Sequence, residues 1–170
     1  MLLLPDPATA QEGNPATMER SEANATDRVF ALAAARGGNA EVELGKLALE
    51  RSRSDPVREF AQRMIDDHGK AGEKLTAVAK RADIRLTRRL DPEHRDRLEE
   101  LGKLSGRDFD VRYLTLQLAD HQKTALLLGH EIGSGQNIDL KDFAGRTLPT
   151  IFAHLEACRA VLDSVKATPK

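Results

Sequence analysis

Four separate stretches of this chain repeat their apolar residues at intervals of three and four, and none repeats them at intervals of two. That periodicity puts one apolar face on each of four helices and leaves no strand to pair. The first stretch carries Phe30, Ala33, Ala34, Ala40, Leu44 and Ala48, and the second Val57, Phe60, Met64, His68, Leu75 and Val78. The third carries Leu114, Leu118, His121, Ala125 and Leu128, and the fourth Leu140, Phe143, Ile151, His154, Cys158 and Val161. A helix with one apolar face must bury it against other helices. The expected fold is therefore all-α, a four-helix bundle.

The punctuation between stretches sharpens this. Thr26-Asp27 suits the N-cap of the first helix, and Asp55-Pro56 gives the second an N-cap followed by proline at the first helical position. Residues 83–107 form a long connection with a short helix introduced by Asp91-Pro92. A connection of that length can run along the whole bundle, as the crossover of ferritin-like folds does. Ser105 and Asp108 form a capping-box-like pair ahead of the third helix, and Asn137 or Asp139 opens the fourth. Pro149 is expected to bend the fourth helix or split off its first turns. Gly37-Gly38 in the first helix suggests a close helix approach or a kink.

Charge excludes one class of partner. The chain has 26 basic and 27 acidic residues in 170, so no basic excess exists to grip a phosphate backbone. Its one cysteine, Cys158, excludes an intramolecular disulfide and any Cys-pair zinc motif. Met1-Leu2-Leu3-Leu4-Pro5 is apolar, and Ala8-Thr9-Ala10 fits the small-x-small cleavage pattern of a secretory signal. Residues 1–10 are thus read as a signal-peptide remnant, 11–25 as a flexible lead-in and 26–166 as a single bundle domain. The expected location is periplasmic or secreted. Leucines off the main stripes, Leu49, Leu116, Leu126 and Leu127, together with Val42, suggest a homodimer as partner.

Three histidines carry the functional signal. A helix turns about 100° per residue, so His68 falls within roughly 40° of Val57, Ala61, Met64 and Leu75 on the core face. The same arithmetic puts His121 between Leu118 and Ala125, and His154 between Ile151 and Cys158. Each is near the middle of its helix, so all three share one level whichever way neighbouring helices run. Glu41 lies at the middle of the first helix, on the edge of its apolar face. His94 and His130 are expected on the surface. Three imidazoles and the Glu41 carboxylate make a workable ligand set for zinc, copper or iron. The competing account is a metal-free polar cluster of structural or pH-sensing histidines.

Five segments occur in an order that resembles a known family: Ala40-Glu41-Val42-Glu43-Leu44-Gly45, Phe60-Ala61-Gln62-Arg63-Met64 leading to Asp67-His68, Phe109-Asp110-x-x-Tyr113, Asp120-His121, and Thr147-Leu148-Pro149 leading to His154-Leu155. They are similar to the bacterial family called domain of unknown function 4142, over about residues 27 to 163. The resemblance implies an exported, ferritin-like four-helix bundle and implies no activity. The chain departs from the di-iron pattern of ferritin-like oxidases, which places Glu three residues before His on two helices. Those places hold Ile65 and Ile151, so ferroxidase chemistry is not expected. No phosphate loop, dinucleotide fingerprint, nucleophile elbow or His-Glu-x-x-His motif occurs. Two readings remain: a metal-binding bundle of the cell envelope, and a metal-free interaction or stress-response protein. Neither requires an enzyme.

Overall fold

The computed structural model describes residues 22–167; the signal remnant and most of the lead-in lie outside them. Five helices follow in order: α1 (Ala25–Arg51), α2 (Asp55–Arg81), α3 (Pro92–Gly102), α4 (Gly106–Ser134) and α5 (Ile138–Ala167). The four long ones are those the apolar stripes predict, and α3 is the short helix of the crossover. Among the described residues there is no strand.

Pairing follows from loop length. Three residues separate α1 from α2, and three separate α4 from α5, so each pair folds back antiparallel. The pairs close into a ring through α1 against α4 and α2 against α5. Asp27 at the start of α1 accepts hydrogen bonds from Gln136 and Asn137 beyond the end of α4, and Arg81 at the end of α2 pairs with Asp139 on α5 at 2.8 Å. Those contacts fix one end of the bundle and make every neighbouring pair antiparallel. The chain from α2 to α4 must therefore travel the bundle's full length, and α3 packs on α1 and α4 as it does so. Arg97 on α3 anchors it, donating to both Asp120 oxygens at 2.9 and 3.1 Å and to Glu93 at 2.5 Å.

Several local expectations are corrected. The N-cap of α1 is Asn24, with Asp27 three residues on completing a reciprocal capping box; Thr26-Asp27 is not the cap. Ser105 caps α4 by position only, since its side chain makes no cap hydrogen bond; Gly106, at φ +55°, makes the turn instead. Asn137 caps α5 through its side chain, accepting from Leu140 N at 3.1 Å. Pro149 does not split α5, which runs unbroken past it. The close approach of α1 and α2 is at Gly45, not at Gly37-Gly38. A β-carbon on Gly45 would lie 2.8 Å from Ile65 Cγ1, whereas one on Gly37 or Gly38 would meet nothing within 4 Å.

The leucines off the stripes divide. Leu49 and Leu116 pack against the core at the α3 end, with Leu98 and Leu101, and Leu127 packs at the other end. Leu126 alone of the four is openly exposed, at 76%. No helix of the described residues is long and apolar enough to cross a membrane.

The core is not continuous. One apolar cluster holds Leu44, Val57, Phe60, Met64, Phe109, Tyr113, Leu114 and Leu162; the other holds Phe30, Leu75, Leu128, Leu140, Ala144 and Ile151. Between them lies a polar layer.

Candidate metal centre

The polar layer is the histidine layer. His68 from α2, His121 from α4 and His154 from α5 meet with ring centroids 5.2 to 5.5 Å apart. They are 9%, 2% and 1% exposed. One nitrogen from each lies within 4.8 Å of the other two. His68 Nε2 is 3.3 Å from His121 Nε2, which is 3.1 Å from His154 Nδ1. Face and level, both read from helical geometry, bring these three together.

The outer partners of the rings decide where their protons sit. His121 Nδ1 is 2.9 Å from the Gln117 carbonyl, which can only accept, so Nδ1 carries the hydrogen and Nε2 is left with its lone pair. His154 Nε2 is 2.9 Å from Asp67 Oδ2. Burial acts to raise the Asp67 pKa, but the hydrogen bond and charge of His154, with help from Arg63, hold it below the usual carboxylate value. An ionised carboxylate also only accepts, so His154 Nε2 donates and Nδ1 keeps its lone pair. The two nitrogens facing each other at 3.1 Å are therefore both acceptors when the rings are neutral. The one hydrogen that His68 could bring can serve only one such contact.

The rings resist supplying a proton themselves. Burial first, and then the neighbouring His121 and His154, bring His68 down to about 3. Burial brings His121 down to about 4 against the opposing bond to Gln117, and it lowers His154 despite Asp67. At neutral pH the layer holds three neutral imidazoles, two of which, His121 and His154, turn lone pairs toward each other.

Glu41 is buried beside this layer but not inside the cluster. Its Oε1 is 3.9 Å from His121 Nδ1, the nitrogen turned away from the other histidines, and its Oε2 accepts from the Gln117 amide. Burial pushes the Glu41 carboxyl up to about 8, against that hydrogen bond. Cys158 also stays apart. Its thiol donates to the Leu114 carbonyl at 3.3 Å, and burial, with Glu41 adding, pushes its pKa up to about 12. His130 is exposed as expected; His94 is half-buried, bonded through Nδ1 to Asp91 at 2.8 Å.

Sequence reasoning missed Asp67 and Gln117, the groups that orient two of the rings. A signal existed in the echo of Asp67-His68 and Asp120-His121. In each copy the aspartate, one residue from the inward histidine, points sideways along the ring of helices. Asp67 reaches His154 on α5, whereas Asp120 holds Arg97 on α3.

Fold and site together define a crossover-connected helical bundle with a buried three-imidazole layer at mid-height. The chain belongs to the family described as Domain of unknown function (DUF4142), whose model matches residues 12–161. Two solved structures share the fold. A DUF305 fragment from Deinococcus radiodurans superposes with a TM-score of 0.75 at 16% identity, covering 84% of this chain and 99% of that one. A candidate secreted DUF305 protein from Streptomyces coelicolor gives 0.70 at 15%, covering 85% and 95%. No curated protein matches the sequence.

Proposed function

We propose that this chain is an exported metal-binding bundle that holds one transition-metal ion on His68, His121 and His154. The observation that carries the reading is the pair of facing lone pairs, His121 Nε2 and His154 Nδ1, at 3.1 Å. Two buried acceptors at that distance repel unless a cation lies between them, and depressed basicity disfavours a proton in that role. The spacing suits a metal. Metal–nitrogen bonds of ~2.0–2.1 Å in a tetrahedron put neighbouring ligand atoms about 3.3 Å apart. The separations of 3.1 and 3.3 Å match that edge.

Three neutral imidazoles favour zinc or copper over iron, since non-haem iron sites add a carboxylate to their histidines. Asp67 fits the usual outer partner of a ligating histidine, fixing the tautomer through the nitrogen that does not face the ion. Glu41 and Gln117 buttress His121 from behind in this reading rather than bind the ion. Export is supported by the Ala8-Thr9-Ala10 pattern and by the secreted description of the Streptomyces relative of the fold. Nothing in the layer calls for a reaction, so binding itself is the proposed activity.

An ion bridging three helices stabilises only the folded state. At ~100 times Kd it adds about 2.7 kcal/mol, or roughly 5–10 °C in Tm for a chain of this size. Melting of wild type and His121→Leu with and without zinc tests this. The expected result is a rise in wild type and none in the variant, whose metal-free stability is unchanged or higher. Equal responses in both proteins, or in neither, would favour a metal-free cluster.

A further inference from the structure

We infer that the fourth coordination position of the histidine centre is filled from outside the chain, by a small monodentate donor admitted through the cleft between α1 and α2. The inference rests on the metal reading above and extends it to an exogenous-ligand site.

Three imidazoles leave a tetrahedral ion one ligand short. The neighbouring donors of the chain are committed elsewhere. Asp67 is bonded to the outward nitrogen of His154, and Glu41 lies behind His121 on Gln117. The Cys158 thiol is bonded to the Leu114 carbonyl. Among the described residues only the three histidines gather as a ligand group. An ion with an open position takes water or an exogenous donor, and either needs a path.

One side of the layer offers it. His68 is the least covered of the three rings, and it lines a cleft of about 350 Å³ between α1 and α2 that reaches Phe143 and Thr147 on α5. A β-carbon built on Gly38, Gly69 or Gly72 meets nothing within 4 Å, so the cleft is open beside all three. The same helices touch tightly at Gly45, where a β-carbon would sit 3.0 Å from the Ala61 carbonyl. The α1–α2 seam is thus closed on one side of the layer and open on the other. Ala34, Val42, Ala71, Leu75 and Phe143 supply apolar wall, while Glu43, Glu73 and Arg88 add charge of both signs. The volume is at the small end for ligand pockets. A space of that size suits water or a donor the size of azide.

Cobalt(II) is a spectroscopic stand-in for zinc, and azide is the probe. In the full chain loaded with cobalt(II), azide should shift the visible bands saturably. Gly38→Leu and Gly72→Leu each push a side chain into open cleft space on a helix that gains propensity. Both should keep cobalt affinity within about threefold while weakening azide about tenfold or more. An azide response in both variants equal to wild type overturns the inference. So does a wild-type cobalt centre indifferent to azide, because the chain would then supply the fourth ligand. Loss of cobalt from both variants also overturns it, since the fill would be acting on the centre and not on the approach. Failure of wild type to bind cobalt at all would instead remove the metal reading on which the inference stands.

Discussion

Among the described residues, the polar cluster at one end of the bundle and the one at its middle hold their protons differently. At the end where α1 begins, Asp27 and Glu131 are both fully buried. Asp27 accepts backbone N–H bonds from Asn24 at 2.6 Å, from Gln136 at 3.1 Å and from Asn137 at 3.1 Å. Burial acts to raise its pKa, but a hydrogen bond from Glu131 and those N–H groups bring it below normal. Glu131 moves the other way: burial, then Asp27, push it up to about 8. One acid keeps the proton, the other keeps the charge, and the chain's own backbone solvates that charge. At mid-bundle the facing nitrogens of His121 and His154 are both acceptors, and the one hydrogen that His68 can bring serves only one such contact. On the reading proposed above, the facing nitrogens at mid-bundle are the ones that an ion would join.

Three substitutions separate the two clusters experimentally. The largest stability effect is expected at the end cluster. Asp27→Ala removes the capping box and the acceptor for two further backbone donors, at a cost of roughly 2–4 kcal/mol. Chemical denaturation should register the loss equally with and without zinc. A loss that zinc reverses would mean the two clusters are not separate.

Asp67→Asn is expected to leave the metal-free fold nearly intact, because Asp67 is partly exposed and its bond is peripheral to packing. It should weaken metal binding by about 10–100-fold, the usual consequence of losing the partner that orients a ligating histidine. A calorimetric titration that finds unchanged affinity would separate Asp67 from the site.

The smallest effect concerns pH. Glu131 has a folded pKa near 8 and a reference value of 4.5, so it stabilises the fold fully below about 4.5 and loses that contribution as pH rises to about 8. The buried histidines have the opposite sign. With folded values of about 3 and 4 for His68 and His121 against 6.5 unfolded, their contribution is present above 6.5 and is lost as pH falls towards 4. Glu131→Gln should therefore flatten part of the alkaline decline in Tm of the metal-free protein and steepen the acid decline between about 6.5 and 4.5, where Glu131 offsets the histidines. Glu41, also near 8, keeps the remainder of the alkaline slope. An unchanged alkaline slope would show that Glu131 is already charged at neutral pH.

Much of this was legible in the sequence, for a definite reason. Helix faces and levels follow from counting residues, so the stripes of Val57 to Val78 and Leu114 to Leu128 delivered both the bundle and the meeting of His68, His121 and His154. Whatever depends on how helices rotate against one another was not countable. Glu41 lies at the right level, but the rotation of α1 puts it behind His121 rather than among the rings. Asp67 points sideways from α2, and its partner depends on α5 being the neighbour there. Asp27 was readable as an acid at a helix start, yet its true partners, Glu131 and the Gln136 and Asn137 amides, lie more than a hundred residues away. The glycines divide similarly: Gly45 touches α2 and Gly38 lines open space, and both are simply glycine within a helical run.

Whether the three imidazoles share one ion can be read by X-ray absorption at the metal edge of zinc-loaded protein. One zinc per chain is expected, with three imidazole nitrogens and one further light donor at about 2.0–2.1 Å. Substoichiometric zinc with a shell of oxygens and no imidazole scattering would contradict it.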